Sequence, residues 1–447
     1  MALFPSEQPE NTSAYIHPRD PHLHRIENSM EYNALGQPVL RTTLKVGQTD
    51  AFGRIRMSTP FTLGDYKHLY GLDPNFIDYT LNGGTVDFQS NKACARLTTS
   101  NNSSSRVVHQ TKFYHHYMPG KSQQILSSFN FYAATANVTK RTGYFDDNNG
   151  IFFEQAGDGT LSWVIRTYTS GAPVENRVTQ ADWNIDKCDG TGGSTFDIDV
   201  TKTQLSFIEF QWLGVGAVTV GFVHNGAYIP CHIFYHSNNL TTVYISTPNL
   251  PVRCEIVNTG TTTGAYFDQI CSTVVSEGGY VEAGQDWSVI SPSLRTIASG
   301  ATLTIMAIRL KTTFKTYANR MIVRSGNLNV FSDGDSIKWR LIKLPNQAAL
   351  TGSTWVDVDT DSGVQYNATC TAFTGGDEMD NGFVGASTQG SQKAGGAPAS
   401  NLPSEAKKNY IVQNYDSTDS EIYVVVATNI GSQSTNVGVG WQWREIY

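Results

Sequence analysis

Asp146, Asp147 and Glu154 are the residues whose type and spacing come closest to a reaction. Cleavage of a glycosidic bond needs two carboxyl groups flanking it. A sandwich glycosidase sets such acids at even spacing along one strand face, but Glu209 stands alone in its run FIEFQW. Asp146 and Asp147 sit beside Asn148-Asn149-Gly150. Aspartate at such a place caps backbone amides, so turn chemistry is the expected role. No Gly-x-Ser-x-Gly elbow occurs, and no cysteine has a catalytic setting, so the chain reads as non-enzymatic.

Asp186, Asp189, Asp197 and Asp199 surround a glycine-rich loop. Calcium takes several oxygens from a flexible loop, but this spacing misses the EF-hand pattern. The expectation is a solvated loop and no cofactor, with structural calcium as the one ion the aspartates would suit. Gly-Thr-Gly-Gly at 190–193 fits neither phosphate-binding fingerprint. His17, His22 and His24 read as a polar docking segment rather than a metal site, and His232 and His236 read as structural. Trp163, Trp183 and Trp212 could stack on sugars, yet a strand tryptophan is more often core. The six cysteines, at 94, 188, 231, 254, 271 and 370, form no CxxC and read as free buried thiols.

The elements holding these residues are short apolar runs between turns. Residues 139–251 are the most regular stretch. At 161–167, Leu161, Trp163 and Ile165 alternate with polar neighbours after Gly157-Asp158-Gly159, which predicts a hairpin with one buried face. Asn225-Gly226 predicts a type I′ turn between strands at 218–223 and 228–235. Further strands are expected at 85–96, 105–113, 123–134, 151–155 and 205–213, around Val243 and Ile245, and at 252–256, 270–275 and 302–311. A second set is expected at 337–341, 354–358, 363–372, 421–428 and 437–447. No helix of ordinary length is expected. The fold class is therefore all-β: a jelly-roll-like sandwich over 47–312, an extended docking arm at 1–46, and a smaller β-domain at 313–447.

The chain has 447 residues, 32 basic and 39 acidic, with a formal charge of −7. That balance argues against nucleic acid as a partner. Charged residues are only 16% of the chain, with Gly, Ser, Thr and Asn in their place, the habit of extracellular and virion β-proteins. The first residues lack the basic and apolar regions of a signal peptide, and no run has the length of a membrane span, so no membrane contact is expected.

Three stretches, DAFGRIRMSTPFTLGDYKHLY (50–70), GYFDDNNGIFFEQAGDG (143–159) and QWLGVGAVTVGFVHNG (211–226), resemble virion structural proteins of tailed, marine bacteriophages. The resemblance spans about 47–310 and implies a particle component located in the virion, with no catalytic residues carried over. The central run also looks like a laminin-G or concanavalin-type jelly roll. Together these imply a tail-, fibre- or capsid-associated protein. It would assemble as a homo-oligomer and with other capsid, portal or tail proteins. Phe52, Arg54, Phe61, Tyr66 and Tyr70 would be the assembly contacts. One alternative is a capsid decoration or minor capsid protein. The other is a carbohydrate-binding adhesin or depolymerase, with a host-surface glycan as partner.

Overall fold

Alternation of apolar and polar side chains, broken by glycine and asparagine turns, drives this chain into sheets. In the computed structural model the described residues are 58–447 except 262, 353 and 386–409, together with two short strands, Ser29–Tyr32 and Pro38–Arg41, which pair antiparallel. The expected arm otherwise lies outside the described residues, as do Phe52 and Arg54. Among the described residues the only helical pieces are the 3-10 turns Gln180–Asp182 and Gln347–Ala349. None of their helices is long and apolar enough to cross a membrane.

The first unit is a jelly-roll-like sandwich of two antiparallel sheets. One runs Val174–Thr179, Leu161–Thr167, Gly150–Gln155, Val138–Phe145, Val252–Asn258, Arg106–Thr111, Phe76–Leu81. The other runs Ala227–Phe234, Val218–His224, Gln204–Phe210, Gln123–Asn130, Tyr266–Ser276, Cys94–Thr98, Thr85–Gln89, with Phe61–Lys67 also paired to Tyr266–Ser276. The predicted hairpins are present. Leu161 faces Gln155 across the first turn. In the second, Asn225 and Gly226 take φ of 51° and 80°, as a type I′ turn requires. Between the sheets Phe153, Trp163 and Phe222 meet with ring centroids 5.1–5.8 Å apart.

Three expectations need correction. Residues 85–96 are not one strand: the chain turns between Gln89 and Cys94, with Ala93 at φ 49°, and doubles back as a hairpin. Val243 and Ile245 lie outside any strand, because Tyr244 bonds backbone to Gly214 in an irregular loop. Thr302–Leu310 does not finish the first sandwich, since it pairs with Ile422–Asn429 and Val364–Asn367. Gln285–Ile290 and Arg295–Ile297 likewise pair with Thr435–Ile446. The sheets therefore change hands between Ser276 and Gln285, ahead of the expected boundary at 312.

The second unit packs those strands, with Ile322–Ser332, Ile337–Leu344 and Asp377–Val384, into two sheets around Trp339, Trp441 and Trp443. Glu445 is buried among them. Its carboxylate accepts from the Ser362 hydroxyl at 2.6 Å, the Gly363 amide at 2.8 Å and Trp443 Nε1 at 3.1 Å.

Several histidines are part of the packing, and this fixes a pH response. His68 is fully buried, accepts from the Asp73 amide on Nδ1 at 3.0 Å and donates from Nε2 to Gln269. Burial, then the nearby His109, holds its pKa below the ordinary 6.5 against the pull of Gln269, Asp73 and Asp78. Burial lowers His116, His232 and His236 in the same way. Well above pH 6.5 these imidazoles are neutral in both states and contribute no slope. Below it the unfolded chain takes up protons that the folded chain refuses, so stability falls as pH falls. The buried carboxylates with lowered pKa titrate at more acid values. Urea midpoints should therefore decline between about pH 6.5 and 5, and a flat profile across that window would contradict this assignment.

Candidate functional site

The outward face of the seven-stranded sheet is a charged lattice. Period-two alternation puts Arg141, Glu154, Arg177, Arg253 and Glu255 on this face, opposite the core residues Thr142, Phe153, Val178 and Cys254. Glu154 is held by Arg141 at 2.7 Å and by Arg177 at 2.8 Å. Glu255, 2% exposed, is met by Arg106 at 3.1 Å, Arg141 at 2.9 Å and Arg253 at 3.5 Å. Burial acts to raise the Glu255 pKa, but the three arginines outweigh it and hold it at about 2. Arg166 and Arg253 roof a small apolar cluster of Phe145, Phe152 and Val164, with guanidinium-to-ring distances of 5.0–5.5 Å. Carboxylates pinned in this way cannot act as general acids near neutral pH.

The predicted acids follow the turn reading. Asp146 Oδ1 accepts the amides of Asn148 and Asn149, each at 2.8 Å. Asp147 bonds Arg106, Arg253 and the Tyr415 hydroxyl. Glu209 is half-buried on the other sheet beside Ser122, and burial followed by the Glu277 charge raises its pKa. Asp186, Asp189 and Asp199 accept backbone amides two to eight residues downstream. A Cβ on Gly192 would stand 2.2 Å from Asp186 Oδ1, so glycine is needed there. Among the described residues no group of three or more His, Cys, Asp or Glu is arranged around a metal position. Trp163 and Trp183 are core, and Trp212 packs partly buried against it.

The expected assembly contacts separate. Tyr66 is 2% exposed and donates to His115 Nε2 at 2.8 Å, so it is packed inside the first sandwich and is corrected from a subunit contact to a core residue. Tyr70 is fully exposed. Phe61 is 41% exposed and borders a cleft between the two units.

That cleft, of about 540 Å³, is the candidate site. Such a volume suits a small ligand. One wall comes from the first sandwich: Phe61, Leu63, Asp65, Phe113, His115 and His116. The other is made by Tyr280, Glu282, Ile322, Tyr410 and Ile446. Phe61 stacks on Tyr280 with centroids 5.0 Å apart and planes at 14°, and Phe113 meets Tyr410 edge-on at 5.6 Å. Glu282 is tied to Arg324 through Oε2 at 2.7 Å, while its buried Oε1 has no hydrogen-bond partner among the described residues. His116 Nδ1 is buried and unpartnered in the same sense. Burial, with the Glu282 and Tyr410 charges added, pushes the Tyr280 phenol up to about 12, and burial raises Tyr410 as well. The cleft therefore offers flat rings, two phenols, the imidazoles of His115 and His116 and the carboxyl groups of Glu282 and Asp65. Among the described residues its lining includes no lysine or arginine, and the nearby Arg324 is paired with Glu282.

Of these residues the sequence reading named only Phe61, and for another role. Tyr280 follows the Gly278-Gly279 break, and Tyr410 follows the polar run Ser404-Glu405-Ala406-Lys407-Lys408-Asn409. An aromatic standing alone after a polar or glycine break was the available signal.

Comparison with known proteins finds no matching family model and no matching curated relative. Solved structures do match. A protein of unknown function from Shewanella oneidensis is 8% identical with a TM-score of 0.34, covering 51% of this chain and 90% of its own. A beta-1,3-glucanase from Mycobacterium marinum is 11% identical with a TM-score of 0.33, covering 48% of this chain and 98% of its own. A legume lectin-like domain from Entamoeba histolytica is 10% identical with a TM-score of 0.29, covering 48% and 97%. These are likenesses of fold. With TM-scores this low they are partial likenesses only, and none of the three is named as a virion protein. Against the expectation of a non-enzymatic chain, the matched structures include a glucanase.

Proposed function

We propose that this protein binds carbohydrate in the cleft between its two β-units. The observation that carries the reading is the unpartnered Glu282 Oε1 beside the stacked rings of Phe61 and Tyr280. A sugar presents an apolar C–H face and a rim of hydroxyls. The rings take the face, and the carboxylate oxygen and His116 Nδ1 accept from the rim. Each buried acceptor that gains a donor recovers about 1–3 kcal/mol of desolvation. A neutral polyol suits this set better than an anion, which would face Glu282 and Asp65.

The test is a glycan array followed by calorimetric titration of the best hit. Tyr280→Ala and Glu282→Gln should each weaken binding about tenfold or more, at about 1.4 kcal/mol per decade. Tyr228→Ala, at an exposed position of an edge strand that does not line the cleft, should leave it unchanged. No binding by the native protein at millimolar sugar would sink the reading. The sequence resemblance would make such a protein an adhesin on a phage particle, and mass spectrometry of purified particles tests that placement.

A further inference from the structure

Residues 180–203 join an edge strand of one sheet, Val174–Thr179, to the interior strand Gln204–Phe210 of the other. On the way they cover the open side of the first sandwich. Trp183, Cys188, Phe196 and Ile198 all enter its core. The cover is fastened to the edge strand Ala227–Phe234. The amides of Ile185 and Asp186 both donate to the Cys231 carbonyl, at 3.0 and 3.2 Å. Asn184 bonds both backbone groups of Ile233. Within the cover, Asp186 caps the Cys188 amide at 2.8 Å, and Ile198 donates to the Cys188 carbonyl at 2.9 Å. These contacts fix Cys188 in a left-handed conformation, φ 49°, directly over Cys231. The two Sγ atoms lie 3.2 Å apart, and neither residue is exposed.

We propose that Cys188 and Cys231 are a modification site: they form an intramolecular disulfide that staples the cover to the opposite sheet edge. A disulfide bond is about 2.05 Å long, so the sulfurs need to close by little more than an ångström. The other four cysteines stand alone. Cys254 bonds Thr142, Cys271 lies exposed beside Ser128, and Cys94 and Cys370 are buried with no disulfide partner among the described residues.

The oxidant is a small-molecule disulfide. One cysteine thiolate attacks it, forming a mixed disulfide and releasing one small thiol. The second cysteine then attacks its partner's sulfur and releases the other small thiol. Two protein S–H bonds become one S–S bond, and the two electrons and both protons end on the reagent. Burial, then the Cys188 thiol, holds the Cys231 pKa well up, so exchange starts while the cover is lifted.

The experiment treats the full-length protein with oxidised glutathione, once in the native state and once during refolding from urea. Each sample is then denatured and alkylated. The expected result is four alkylated cysteines of the six, with peptides containing Cys188 and Cys231 cross-linked. Cleavage by a protease within 180–203 should slow at least tenfold, and the thermal midpoint should rise by several degrees. Cys188→Ser and Cys231→Ser should each restore alkylation of all remaining thiols, while Cys254→Ser should leave the cross-link intact. Six alkylated thiols under both conditions, or a cross-link that involves Cys271 instead, would overturn the proposal.

Discussion

Replacing Glu255 with glutamine should destabilise the first sandwich by about 3–5 kcal/mol, the cost of breaking a buried ion pair from one side. Glu255 is the shared counter-charge of Arg106, Arg141 and Arg253, and Arg253 is itself 1% exposed. The glutamine keeps the shape but leaves three guanidinium groups facing one another with half their compensation gone. Glu154 still serves Arg141, and Asp147 still serves Arg106 and Arg253, but Asp147 is half-exposed and partly screened. Urea unfolding measures the loss. A change below about 1 kcal/mol would mean that Asp147 and Glu154 balance the lattice alone.

Glu445→Ala should cost the second unit about 3 kcal/mol or more, for a different reason. No cation pairs with this carboxylate among the described residues; it is held by three donors, Ser362, Gly363 and Trp443. Truncation strands all three in a fully buried place, at about 1–3 kcal/mol for each donor left without a partner. Hydrogen exchange read by peptide should locate the damage. Protection should fall in Thr435–Ile446 and around Ser362, while Leu161–Thr167 in the first core keeps its rate. Equal loss in both units would show that they unfold as one.

What the sequence made legible was local. Leu161–Thr167 carries its own alternation and its own turn, so its place and its buried face could be read from seven residues. Asn225-Gly226 fixes a backbone conformation that few other pairs adopt. Thr302–Leu310 was recognisable as a strand, but its partner Ile422–Asn429 lies more than a hundred residues further on. Apolar pattern says that a strand must be covered, and not by what. The same limit hid the charged lattice. Arg141 and Glu154 each look like solvent-facing members of an alternating strand, and only the pairing of neighbouring strands brings them to 2.7 Å. The cleft was least legible of all. Phe61, Tyr280 and Tyr410 come from three distant stretches, and each alone reads as an ordinary surface aromatic.

The walls of that cleft belong to two separately packed cores, with polar contacts between them: Lys112 to Glu421 at 3.2 Å, and Tyr415, stacked on Tyr79, to Asp147 at 2.6 Å. The arrangement is that of a caliper. Each jaw has its own core, and the side chains that meet at the joint lie between them. Exchange of those latch residues would alter the width of the cleft while leaving both hydrophobic interiors as they are.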